Sequence, residues 1–247
     1  MSEAEHHSPL AQFEVTPLIP FKIGATDLSF TNASLWMIIA ATAIIAFMLA
    51  GVRKRQLVPG RWQSSSEVLI EFIQGLIRDN CGKEGLKYFP IIFSLFMFIL
   101  FCNVFGMLPG SFTVTSHLIV TFALAGAVFV GVTLLAIIKH GPIKFIKFFL
   151  PHGTPWWMAP LMYVIEVISY LSRPISLSVR LAANMMVGHM ILKIAAGFIV
   201  MMGILGGWLP FGFVLIFTGF EIFIAVLQAY IFTVLTCVYL NDALHLH

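Results

Sequence analysis

Six ionised side chains, Glu166, Arg173, Arg180, Lys193, Glu221 and Asp242, fall within or at the end of two long apolar runs near the C-terminus, joined there by His189. On insertion scales each charge at the centre of a membrane-spanning helix costs about 2.5–3.5 kcal/mol, so an intramembrane charge is by default a functional hypothesis. Glu166, Arg173 and Arg180 recur every seven residues. Each such step falls about 20° short of two helical turns, which makes them one slowly drifting stripe, extended a further turn by Asn184. Glu221 and Gln228 are likewise seven apart, and Asp242 follows on the same run. His189 lies about 180° around the helix from Arg180, with Lys193 one turn beyond it, so the polar residues serve two surfaces.

Each group admits a plain and a functional role. Glu166 and Arg173 could form a buried ion pair that holds helices together, and Lys193 is expected to snorkel outward. Arg180 is harder to treat structurally. A guanidinium cannot give up its proton, and two arginines in one stripe exceed what Glu166 can neutralise, so Arg180 calls for an anion from outside the chain. His189 and Glu221 are groups that can pass a proton near neutral pH, or a buried histidine that is simply hydrogen-bonded.

The elements that must position these groups follow from composition. The 247 residues are 60% hydrophobic and 10% charged, with 24 Phe and 12 Met and a mean hydropathy of +0.97. A typical globular protein carries roughly 25% charged residues. An all-α polytopic membrane protein fits, whereas disordered, collagen-like, nucleic-acid-binding and disulfide-rich secreted classes do not. Cys81, Cys102 and Cys237 have no metal or redox spacing and read as small core residues. Met1 to Asp27 has no basic start followed by an apolar core, and so is expected to be retained in the mature protein.

Apolar runs at residues 34–52, 88–108 and 116–138 are each close to the ~20 residues needed to span. The first ends at Arg53-Lys54-Arg55. Between the first two, Ser64-Ser65-Ser66-Glu67 has capping-box spacing and opens an amphipathic, interfacial helix at about 64–80. Its apolar side is Val68, Leu69, Phe72, Ile73, Leu76 and Ile77. Pro109-Gly110 marks a turn, and residues 139–155, with Lys139, Lys144 and Lys147, read as a loop. Of 14 basic residues, seven lie between Arg53 and Lys87 and three in that loop. The positive-inside rule then puts these stretches in the cytoplasm and the N-terminus outside. The tryptophans agree: Trp36 and Trp208 fall at outer ends, and Trp62, Trp156 and Trp157 near inner ones. The last runs, 156–202 and 211–244, would measure roughly 70 and 50 Å as helices, against a hydrocarbon core of about 30 Å. The first is either two spans broken near Pro174 or one long, steeply tilted helix, with a turn over 203–210 before the second.

Arg173-Pro174, then Arg180-Leu181 with Asn184, and downstream Leu227-Gln228-Ala229-Tyr230-Ile231-Phe232, resemble the signature of the subunit a family of F-type ATP synthases. The ending Tyr239-Leu240-Asn241-Asp242-Ala243 is similar to its alphaproteobacterial and mitochondrial branch. The resemblance implies a stator channel subunit in a bacterial inner membrane, without a cofactor, metal or nucleotide site of its own. Its implied partners are a ring of c subunits, the b subunits of the peripheral stalk, the rest of the synthase and the lipid bilayer, and no nucleic acid. Arg180 would be the essential stator arginine facing the ring carboxylates. Asn184, His189, Glu221 and Gln228 would line the outer half-channel, and Glu166, Tyr170 and Asp242 the one opening to the cytoplasm, with Arg173 supporting. Many bacterial members carry an acid where this chain has His189 and a histidine where it has Glu221; the pair is exchanged, and both chemistries are kept.

The implied fold is a single membrane domain over 1–247 with five transmembrane helices and one amphipathic helix, the last two long and tilted as a hairpin. In that scheme 1–33 is a periplasmic segment, 34–155 holds the peripheral helices, 156–247 forms the channel, and the C-terminus is cytoplasmic. Two rivals come from other classes. An independent secondary transporter with a midplane charged site would need a matching broken helix in the first half. A membrane haem protein would need paired axial histidines, and His189 alone lies well inside a run.

Overall fold

The computed structural model describes residues 15–20, 22–23, 26–27, 29–53, 59–108, 111–149, 155 and 157–245. The chain before residue 15, Lys54 and Arg55 of the basic cluster, the Pro109-Gly110 turn and Trp156 lie outside the described residues. Four short strands open the structure. β1 (Pro17–Ile19) pairs antiparallel with β4 (Phe30–Thr31), and β2 (Lys22–Ile23) with β3 (Thr26–Asp27). Segments of two or three residues are too short for hydrophobic periodicity to reveal, which is why the sequence gives no sign of them.

α1 (Asn32–Val52) starts two residues earlier than the apolar run. Thr31 is extended and its hydroxyl accepts from the Ser34 amide at 3.4 Å, satisfying one of the helix's free donors. The buried residues of α1, Ala33, Ala40 and Gly51, are all small. A Cβ on Gly51 would lie 2.1 Å from Ser66 Oγ, so the glycine permits close approach to α2.

α2 (Arg61–Gly85) corrects the capping expectation, because it begins three residues before Ser64. The Ser64 amide already bonds the Gly60 carbonyl at 2.8 Å, while Glu67 Oε1 accepts from Gln63 Nε2 at 2.8 Å. The apolar face of α2 is narrower than expected. Ile73, Leu76, Ile77 and Cys81 are buried, whereas Val68 and Phe72 are exposed. Gly82, at φ 66° and ψ −162°, breaks the helix, and a 3-10 turn (Leu86–Tyr88) leads into α3 (Phe89–Gly106).

α4 (Leu118–His140) is followed by α5 (Pro142–Phe148), a helix inside the stretch expected to be loop. Gly141 at φ 82° makes the corner, and Pro142 opens α5 where its missing N–H is not needed. α6 (Ala159–Gly206) runs through Pro174 without a break, and its non-helical residue is Gly203 (φ 62°, ψ −164°). A single long helix is therefore what forms. α7 (Trp208–Leu244) begins inside the expected turn, with Pro210 harmless in its first turn. At ~1.5 Å per residue the 45 residues of α6 up to Gly203 and the 37 of α7 measure about 68 and 55 Å, too long to cross a ~30 Å core upright. The helices long and apolar enough to cross a membrane number five among the described residues. Their outward residues, such as Ile38, Ile45, Ile119 and Ile138, form an apolar surface suited to lipid.

The chain divides into two compact units. One comprises Met1–Glu67, Phe96–His117 and Leu181–Tyr230; its core includes Met97, Ile99, Leu181, Met185, Ala225 and Ala229. The other comprises Val68–Leu95, Leu118–Arg180 and Ile231–His247, with Ile73, Ile77, Ile92, Leu177, Phe232 and Leu240 buried. There the Cys81 thiol donates to the Cys237 carbonyl at 3.0 Å; these two cysteines, and Cys102 of the first unit, are free and buried. The division falls after Arg180 in α6 and after Tyr230 in α7.

Candidate functional site

In the first unit α6 and α7 run antiparallel, so residues 184 and 189 of one face residues 228 and 221 of the other. Nδ1 of His189 is hydrogen-bonded to Oε1 of Glu221, and its Nε2 to the Gly106 carbonyl at 2.7 Å. A carbonyl can only accept, so Nε2 carries the N–H and Nδ1 is the atom that meets the carboxylate. Imidazole with carboxylic acid, and imidazolium with carboxylate, then differ only by moving one proton along one hydrogen bond. Glu221 is 2% exposed, and its Oε2 has no hydrogen-bond partner among the described residues. That oxygen is the pair's remaining open acceptor.

The second-rank contacts explain why the pair is held there. Gly106 O also accepts from Thr113 Oγ1 at 3.1 Å and Ser111 Oγ at 3.0 Å, which fixes the carbonyl that fixes the imidazole. Gly188 lets the carboxylate in: a Cβ there would lie 2.7 Å from Glu221 Oε1. One to two helical turns from the pair, Asn184 Nδ2 donates to Gln228 Oε1 at 2.9 Å, and the buried Gln228 Nε2 is unpartnered among the described residues. Asn103 of α3, fully buried, donates to the Ala225 carbonyl at 3.1 Å, and its Oδ1 is likewise unpartnered.

In the second unit Arg173 Nη1 pairs with Asp242 Oδ2 at 2.8 Å, both groups half-buried. The partner of Arg173 is thus Asp242 rather than Glu166, and Glu166 is half-buried on α6. The guanidinium carbon stands 5.4 Å from the Tyr170 ring centroid and 5.0 Å from that of Tyr239. Two aromatic faces and a carboxylate therefore stabilise this charge together. Tyr170 also shares a 2.7 Å hydrogen bond with Thr133 of α4.

Arg180 is exposed at mid-α6, and among the described residues no carboxylate lies within ion-pair distance of it. Lys193 is exposed. Sequence reasoning found His189, Glu221, Asn184, Gln228, Arg173 and Asp242, and the structure brings them together in those three pairs. It missed Gly106, Gly188, Asn103, Thr133 and Tyr239. Asn103 was findable, as a lone amide inside an apolar span. Gly106 acts through its carbonyl and Gly188 through close approach, while Thr133 and Tyr239 act through partners that only packing brings near, so residue type marks none of them.

Residues 34–241 match the family described as ATP synthase A chain. A protein of Pelagibacter ubique (strain HTCC1062) named ATP synthase subunit a is 54% identical over 241 residues, covering 97% of this chain and 98% of the relative. Proteins of the same name from Rhodospirillum rubrum and Paramagnetospirillum magneticum (strain ATCC 700264 / AMB-1) are each 53% identical, over 241 and 246 residues. They cover 98% and 97% of this chain and 100% and 99% of the relatives.

Proposed function

Because the chain belongs to the ATP synthase A chain family, the proton-channel stator of the F-type ATP synthase, we propose that it carries protons to and from a rotating c-ring through two offset half-channels. Asn184, His189, Glu221 and Gln228 line the outer inlet. Glu166, Tyr170 and Asp242 line the outlet to the cytoplasm, and Arg173 supports Asp242. Residues 156–247 form the channel hairpin of a single membrane domain. The protein sits in a bacterial inner membrane with its N-terminus periplasmic and C-terminus cytoplasmic, and is held beside the ring by peripheral-stalk b subunits.

One observation supports this above the rest. The four inlet residues belong to one compact unit and the three outlet residues to the other, and α6 divides immediately after Arg180. A proton entering from outside reaches the His189–Glu221 pair, passes toward Asn184 and Gln228, and neutralises a ring carboxylate. The neutral acid then rotates through lipid, and on the far side the proton leaves toward Asp242. Arg180 keeps the two flows apart. Its permanent charge repels a proton attempting the short cut and stabilises the ionised ring carboxylate at membrane depth, where that anion is otherwise costly. Each proton falling through 100 mV delivers about 2.3 kcal/mol, so several must pass per ATP made elsewhere in the complex.

The test is the whole synthase, assembled with Arg180→Ala, in proteoliposomes. ATP-driven acidification should be abolished; acidification at the normal rate would overturn the assignment.

A further inference from the structure

Just beyond Asp242, the C-terminal end of α7 is ringed by groups that the channel mechanism leaves unused. Lys139 Nζ of α4 contacts Glu84 Oε2 of α2 at 2.8 Å and the Leu244 carbonyl at 3.3 Å. His140 Nε2 lies 3.2 Å from that same carbonyl, and His245 Nδ1 lies 3.0 Å from Asn241 Oδ1. Lys87 and His245 are close enough to Glu84 to interact with its charge. All of these residues belong to the unit that holds Asp242.

The hydrogen bonds fix which nitrogen of each imidazole is engaged and which is left open. A carbonyl oxygen only accepts, so His140 carries its N–H at Nε2 and His245 at Nδ1. The other nitrogen of each ring, Nδ1 of His140 and Nε2 of His245, keeps a lone pair for a proton, and taking it up leaves the existing hydrogen bond intact. His245 directly follows the last residue of α7 and lies three residues after Asp242, its backbone N–H still bonded to the Asn241 carbonyl at 2.9 Å; residues three apart on a helical path are neighbours.

We infer that His140 and His245, with Glu84, form a proton-collecting group at the mouth of the Asp242 path, exchanging protons between bulk buffer and that carboxylate. This rests on the outlet role given to Asp242 above. In the direction of ATP hydrolysis, a protonated buffer gives its proton to His245 Nε2. The imidazolium passes it to the Asp242 carboxylate, directly or through water, and returns to neutral imidazole; in synthesis the same steps reverse. The need is kinetic. At pH 8 free hydronium, even captured at a diffusion limit of ~10¹⁰ M⁻¹s⁻¹, arrives at only about 100 s⁻¹. An enzyme turning over at ~100 s⁻¹ and moving several protons each time outruns that supply several-fold. Lys139, Lys87 and Arg173 are the cations facing the cluster, and Glu84 and Asp242 the anions that keep it attractive to protons.

The test is ATP-driven acidification by the reconstituted synthase at pH 8 in weak buffer, with His140→Gln and His245→Asn combined. These substitutions retain an N–H where each imidazole donates and remove only the titrating nitrogen. The initial rate should fall about three-fold or more in weak buffer and recover as imidazole is added. A wild-type rate in weak buffer would overturn the inference, as would a deficit that added imidazole leaves unchanged, since that marks a structural role. Asp242→Asn is read in parallel in strong buffer. Normal pumping there would remove the outlet role itself, a different failure from the first two.

Discussion

Gly188→Ala places one methyl group against the His189–Glu221 pair. The new Cβ would lie 2.7 Å from Oε1, 3.2 Å from Cδ and 3.4 Å from Cγ of Glu221. An ordinary contact needs about 3.5 Å, so the carboxylate must retreat by roughly 0.8 Å. Side chains usually yield such a distance cheaply, but Glu221 is buried and its Oε1 is committed to His189 Nδ1. Retreat therefore breaks or lengthens a charge-assisted hydrogen bond, of the kind worth about 1.5–3 kcal/mol. If the proton passes through that bond, the rate falls by about 10- to 100-fold. The assay is ATP-driven proton pumping per assembled complex, repeated in a Glu221→Gln background. There the relay is already broken and the extra methyl should change the rate less than two-fold, because coupled sites are not additive. Pumping by Gly188→Ala within two-fold of wild type would refute the relay geometry, and so would an equal loss in both backgrounds.

Arg173→Gln and Asp242→Asn should each slow pumping, and together cost less than the product of the two. The coupling should be about 1–3 kcal/mol in a double-mutant cycle on the rate, since each removes the partner of the same ion pair. Gly203→Ala forces a side chain into a backbone region, φ 62° and ψ −164°, that glycine alone occupies readily; a cost of about 1–3 kcal/mol should appear as a lower melting temperature of the complex. His117, outside the spans, has its imidazole pKa lowered by burial. The unfolded chain thus takes up this proton first as pH falls. The stability is present above pH ~6.5 and is lost below it, so acidification from pH 7.5 to 5.5 should depress melting of wild type more than of His117→Gln.

Much of the site was legible because charge is so costly in an apolar run. Arg173, Arg180, His189, Glu221 and Asp242 stand out against a chain that is 10% charged. The heptad spacing put Glu166, Arg173 and Arg180 on one stripe, and helical phase put His189 opposite Arg180. The nearest-partner guess failed for Arg173 because Glu166 is close in sequence, whereas Asp242 is reached only through the antiparallel packing of α7. The Ser64 box failed because an N-terminal signal is local, and Arg61 to Gln63 were already helical. A serine within a helix can return its hydroxyl to carbonyls of the preceding turn, as Ser66 does.

By itself the sequence determined the solvent of the protein, the extent of its apolar runs and which polar residues within them are costly, because burial cost depends on residue type and spacing alone. Whether α6 breaks at Pro174 depended on tertiary context, and it does not break. Nor could residue type say which nitrogen of His189 carries its proton. That was decided by the Gly106 carbonyl, 83 residues away in the chain, and by Gly188 leaving room for Glu221 to reach the other nitrogen. Hydrogen-bond partners across helices are set by register and close approach, and those exist only once the helices have packed.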